Sequence, residues 1–164
     1  MAEQIERITL ATVSSTDEGL WIVELGYLPP SINEAYPSSG NKRFPSKALK
    51  DFKTNAKYDI SKQLSKTKSP EKNHPYGIVI QLFMPDIINK GWPKKAANRY
   101  KHVDVSNRVK FVEDAMAEVL DLDDEHNFIV IATKSFGPQE RTTIILWRCD
   151  IRTMDLTELQ PTMI

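Results

Sequence analysis

A single cysteine, Cys149, leaves this chain of 164 residues without an internal disulfide. That favours a reducing compartment and predicts a cytoplasmic protein. No apolar run approaches the roughly 18 residues that a membrane-spanning helix requires, so no membrane partner is expected. The opening MAEQIERITL does not read as a signal peptide. No internal repeat or low-complexity tract stands out. The three histidines, His74, His102 and His126, do not share a metal-ligand spacing and read as loop or surface groups. His102 lies near enough to Asp104 in sequence to act beside it.

Net charge is also missing, with 22 basic residues against 22 acidic ones. Taken whole, that balance argues against a nucleic-acid partner, but it conceals a segregation. Residues 1–40 carry −5, residues 41–101 carry +11 and residues 102–164 carry −6. A basic block beside an acidic one suits a protein that grips a polyanion while gathering carboxylates around a cation. On charge alone, a lysine-rich helix face in water serves as well.

What is present is enough for a core. A hydrophobic fraction of 40% over 164 residues fits one globular domain spanning 1–164. Ile5 to Val13 and Leu20 to Leu28 read as strands joined by the turn-rich SSTDEG. Pro29-Pro30 stops the second strand, because proline removes ladder donors. LPPSINEAY then reads as a fixed turn in which Ser31, Asn33 and Tyr36 either stabilise the backbone locally or offer contacts to a ligand. Ser46 is the expected N-cap of a helix running to about Ser65, with Leu49, Phe52, Ala56, Ile60 and Leu64 buried and Lys50, Lys53 and Lys57 on another face.

Gly77 to Met84 reads as a strand. Residues 86–101 lack a convincing period and hold five basic residues with Trp92 and Tyr100. Such a loop suits a nucleic-acid arm for backbone contacts or base stacking, or else a solvated insertion. Asn127 to Ser135 reads as a strong strand, with Thr142 to Cys149 as its antiparallel partner across Gly137-Pro138. Residues 150–164 form a weakly patterned tail. The expectation is an α+β domain with a mainly antiparallel sheet of about four to five strands and two principal helices, in the order β-β-α-β-α-β-β.

The stretch HVDVSNRVKFVEDAMAEVLDLDD, from His102 to Asp124, carries the candidate chemistry. Val109, Val112, Met116, Val119 and Leu120 make one apolar helical stripe, while Asn107, Lys110 and Asp114 share the opposite side. Asp104 opens the helix, and Asp123 and Asp124 follow its end. Acids converging from separate segments can hold a hard divalent cation. Each also has a plain structural role open to it. Asp104 or Ser106 can cap the helix, Asp123 and Asp124 can be loop acids, and Lys110 can pair with Asp114.

LPPSINEAY after a strand, MPD after the next long strand, and DVSNRVKFVEDAMAEVL followed by DD together resemble the RusA-like Holliday junction resolvases, the crossover junction endodeoxyribonucleases. The similarity runs from about Trp21 to Leu146, and its specific part is D-x-x-N-x-x-K-x-x-x-D about ten residues before the acid pair. The resemblance implies a bacterial or phage-encoded homodimer that cuts four-way DNA junctions with Mg²⁺, or Mn²⁺ in its place. It implies catalytic roles for Asp104, Asp124, Lys110 and Asp123. Asp104 and Asp124 would be metal ligands, and Asp123 a ligand or a supporting acid. Asn107 matches the motif's asparagine.

Lys42, Arg43, Lys50, Lys53, Lys57, Lys94, Lys95, Arg99 and Lys101 would meet DNA phosphates beside Asn107. The family pattern begins D-x-D-N, and here Ser106 stands where its second acid belongs. Serine brings no negative charge, so weaker Mg²⁺ binding is expected. The alternative reading is therefore a non-catalytic binder of branched DNA. A small α+β interaction domain with capping acids and solubilising lysines is the third.

Overall fold

The computed structural model describes residues 19–39 and 42–149, without the side chains of Ser38, Ser39, Lys42, Arg43 and Asp124. The strand expected at Ile5 to Val13 and the tail at 150–164 lie outside the described residues. Strand β1 (Leu20–Leu25) leads to a one-turn helix α1 (Ile32–Ala35) and a small ribbon, β2 (Ser38–Ser39) and β3 (Lys42–Arg43). Helix α2 (Lys47–Leu64) and strand β4 (Tyr76–Met84) follow. A turn-rich loop then gives way to helix α3 (Ser106–Leu120), a 3-10 turn (Asp124–His126), β5 (Asn127–Phe136) and β6 (Arg141–Arg148).

The main sheet has the order β1-β6-β4-β5. Strands β1 and β6 are antiparallel, as are β6 and β4, whereas β4 and β5 are parallel. The mainly antiparallel α+β expectation therefore holds for the sheet and its two long helices. The expected β5–β6 hairpin does not form. Strand β5 pairs only with β4 among the described residues, and β6 inserts on the other side of β4. The reason is the crossover: β4–α3–β5 is a βαβ unit, and its helix permits parallel pairing.

The link 137–140 therefore has to cross the end of β4. Gly137 N–H approaches the Met84 carbonyl at 3.4 Å, and a Cβ at Gly137 would stand 2.8 Å from Phe83 Cβ. Glycine fits because only a bare backbone passes so close.

Pairing register separates two faces. Trp21, Val23, Leu25, Ile144, Leu146, Ile78, Ile80 and Leu82 face the helices and are buried. They join Leu49, Phe52, Ala56 and Ile60 of α2 and Val109, Val112, Ala115 and Met116 of α3 in one core. Both helices bury the stripe that their 3.6-residue periodicity predicts. The opposite face carries Ile22, Ile145, Val79 and Ile131, and no described helix packs on it. There the Trp147 indole lies across Gly77, where an added Cβ would come within 2.1 Å of the ring. No helix among the described residues is long and apolar enough to cross a membrane.

A candidate acid centre at the start of α3

Ser106 opens α3 with no side-chain cap on the residue before it, Val105. The free backbone donors of the first turn fall instead to Asp104. Its Oδ1 accepts the Ser106 N–H at 3.0 Å and the Ser106 hydroxyl at 2.6 Å, and its Oδ2 accepts the Asn107 side-chain amide at 2.7 Å. The Ser106 hydroxyl, then the backbone N–H groups of Ser106 and Asn107 and the Lys134 charge, hold the Asp104 carboxyl below the usual range against some desolvation. Asp104 does cap the helix, and the same contacts present it as a fixed, exposed anion.

Half-buried Val103 and Val105 pack onto the core and fix the entry. Lys134 from β5 donates to the Val103 carbonyl at 2.6 Å, bringing a strand beside the acid. Nothing in the spacing of the sequence marked Lys134, because β5 reaches this end of the molecule only through the crossover.

The turn LPPSINEAY is the other support. Ser31 and Glu34 form a reciprocal capping box around α1, with the Ser31 N–H donating to Glu34 at 2.7 Å. Ser31 thus takes the local role. Arg108, in the first turn of α3, donates to the Pro29 carbonyl and lies 3.7 Å from Glu34. Tyr36 stacks at a tilt on Phe111 with ring centroids 6.2 Å apart. Arg108 carries no signal in the sequence beyond its place in the motif, yet it ties the two motif segments together.

Lys110 and Asp114 share the exposed side of α3 with Asn107, as the periodicity predicts, and pair at 3.1 Å. Asp123 lies elsewhere. Its carboxylate accepts the Glu125 N–H at 3.3 Å and its carbonyl accepts the His126 N–H at 3.1 Å, past the left-handed Asp121 that ends α3. The side chain of Asp124 is outside the described residues. A 15-residue helix spans about 22 Å at 1.5 Å per residue, so α3 separates Asp104 from Asp123 within one chain. No group of three or more His, Cys, Asp or Glu able to hold a metal occurs among the described residues.

The basic residues divide. Lys57 pairs with Glu118 across α2 and α3, and Lys101 pairs with Asp86 at 2.5 Å. Lys50, Lys53, Lys94 and Lys95 make no ion pair among the described residues. Arg99 lies over the rings of Trp92 and Tyr100. Lys42 and Arg43 have no described side chains. His102 takes an Asn98 contact at 2.8 Å, and His74 sits between Glu71 and Arg148 on the surface.

No curated protein shows a significant match to the chain. The family model for endodeoxyribonuclease RusA matches residues 27–146, which takes in LPPSINEAY, the long loop, α3 and the acid pair. With the family model covering most of the chain and LPPSINEAY tied to the first turn of α3, the chain belongs to the endodeoxyribonuclease RusA family, the RusA-like Holliday junction resolvases.

Proposed function

We propose that this protein is a divalent-metal-dependent endonuclease that resolves four-way DNA junctions by paired phosphodiester hydrolysis, acting as a homodimer. The observation that carries the reading is Asp104, an exposed carboxylate fixed at the head of α3 by Ser106 and Asn107 of its own motif. Membership of the endodeoxyribonuclease RusA family supports it.

The donor chemistry suits Mg²⁺ or Mn²⁺, which prefer carboxylate oxygens and keep several waters. Asp104 Oδ1 already accepts two hydrogen bonds, whereas Oδ2 accepts one and retains a lone pair. When bound, such an ion supplies Lewis acidity that activates water and offsets charge on the phosphoryl oxygens. Asp104 and Asp124 would hold it, with Asp123 as ligand or support. Because α3 keeps Asp104 and Asp123 apart, a shared centre requires the head of α3 from one copy and the acid pair from another. Two copies related by a two-fold axis then carry two such centres, matching the near two-fold symmetry of a junction.

Lys110 stands on the exposed side of α3, where its ammonium can leave the Asp114 pair to meet a phosphate, since a surface pair of this kind is worth only a few tenths of a kcal/mol. Lys50, Lys53, Lys94 and Lys95 serve as phosphate contacts.

The test is incubation of purified protein with a mobile four-way junction, with and without Mg²⁺ or Mn²⁺. Symmetric nicks that need the ion are expected. Asp104→Asn should reduce cutting on the order of 100-fold or more, the scale of losing one preorganised electrostatic group, while junction affinity holds. The neutral Ser106 favours one competing reading, a binder that no longer cuts. A shifted gel band without nicks at any ion concentration would establish that reading instead, and neither band nor nicks would leave only an interaction domain.

A further inference from the structure

The loop between β4 and α3 is built more tightly than its aperiodic sequence suggests. Asn89 is its clamp. Its backbone N–H donates to the Arg99 carbonyl at 2.9 Å, and its side-chain amide reaches the Asn98 and Tyr100 carbonyls at 2.6 and 3.3 Å. An isolated bridge joins Ile88 to Tyr100, and the Lys101 N–H closes on the Ile87 carbonyl at 2.8 Å. The result is a short stem with a basic tip. On this stem Arg99 lies 5.3 Å from the Trp92 ring centre and 5.5 Å from that of Tyr100. Trp92 and Tyr100 nevertheless remain 44% and 51% exposed.

Phe44, Tyr58, Phe128 and Phe136 are more exposed still. What sets Trp92 and Tyr100 apart is that one guanidinium lies over both on a hydrogen-bonded, basic stem, an arrangement suited to a ligand with a flat apolar face and a negative charge. A nucleobase on its phosphate backbone has both. Lys94 and Lys95, exposed and without an ion pair among the described residues, supply the phosphate contacts. Bases inside a duplex are already stacked. In an open four-way junction each base pair that flanks the branch has one face without a stacking neighbour, and the stem runs directly into Asp104.

We propose that Trp92, Arg99 and Tyr100 form a stacking platform for a nucleobase exposed at the branch point, so that the loop recognises branching itself rather than sequence. The inference rests on the branched-DNA reading above but not on metal-dependent cutting. Stacking tolerates any base because every base offers a π face.

The experiment places 2-aminopurine either beside the branch point or within an arm of a four-way junction and follows its fluorescence on binding in EDTA. The wild-type protein should change the signal only at the branch. Trp92→Ala and Tyr100→Ala should lose that change and about tenfold in junction affinity, the scale of one stacked base, with linear-duplex affinity unaltered. Trp92→Leu keeps the apolar bulk and removes the π face, so it guards against simple misfolding, and circular dichroism confirms each variant.

Trp92→Leu with a wild-type signal and wild-type preference for the junction overturns the platform. A wild-type protein that cuts junctions without any branch-specific signal overturns it while sparing the nuclease. A signal without nicks in Mg²⁺ supports the platform and removes only the nuclease reading. No junction binding at all removes both.

Discussion

A carboxylate on a protein surface is ionised at neutral pH whether or not anything holds it. What Asp104 gains from Ser106 and Asn107 is a fixed direction and resistance to protonation. The sign of the effect follows from linkage. A carboxyl depressed in the folded state adds stability above its unfolded pKa, and that stability is lost as pH falls through the folded value. Ser106→Ala removes the first of the groups that lower it. The Asp104 carboxyl should then titrate at higher pH in a carbon-detected NMR titration, and an unchanged midpoint would show that the hydroxyl is idle.

Ser106→Asp tests the missing acid more directly. It replaces a donor to Asp104 with a second negative charge, so the metal-free protein should melt at lower temperature while Mg²⁺ restores more stability than in the wild type. Higher cleavage rates for this variant would show that charge at 106 limits the reaction. At the same scale, burial pushes the Cys149 thiol up to about 11. It should resist alkylation at neutral pH until the protein is denatured, as mass spectrometry would report.

Among the elements, α3 was legible in advance. Its apolar stripe has the helical period and its exposed residues fall on one side, so Val112, Met116 and Lys110 stand where periodicity puts them. The long α2 and its Ser46 cap were equally plain, with the Leu49 N–H bonded to the Ser46 hydroxyl at 3.2 Å. The tether between α1 and α3 was not, because it depends on Arg108 meeting a carbonyl that is 79 residues away. Hydrogen bonds from a charged donor are worth about 1.5–3 kcal/mol. Arg108→Ala should therefore lower stability in urea by about 2 kcal/mol and loosen the LPPSINEAY turn, visible as faster amide exchange at Ile32 to Tyr36. A loss confined to a few tenths of a kcal/mol would mean that the turn holds itself.

Across the whole molecule, the sheet buries one face under two helices and leaves the other without a helix among the described residues. Ile22 is 48% exposed there. On that same face the Gly77–Trp147 contact pins β4 to β6. Gly77→Ala forces the indole out of place and should cost about 1–3 kcal/mol by overpacking, read as a lower midpoint of thermal unfolding. The proposed homodimer belongs to this scale too. If a centre needs the head of α3 from one copy and the acid pair from another, then Asp104→Asn and Asp124→Asn chains, each inactive alone, should regain some cutting when mixed. Persistent inactivity of the mixture, with exchange of subunits demonstrated, would place both acids in one chain's centre.

The two long helices, the main-sheet strands among the described residues, the acids at either end of α3 and the family are legible in the sequence, because these depend on local period, turn residues and ordered motifs. That β6 lies between β1 and β4 and that Lys134 reaches the head of α3 come from the tertiary fold. Both depend on which strands pair across the crossover, and the spacing of neighbouring residues does not encode that.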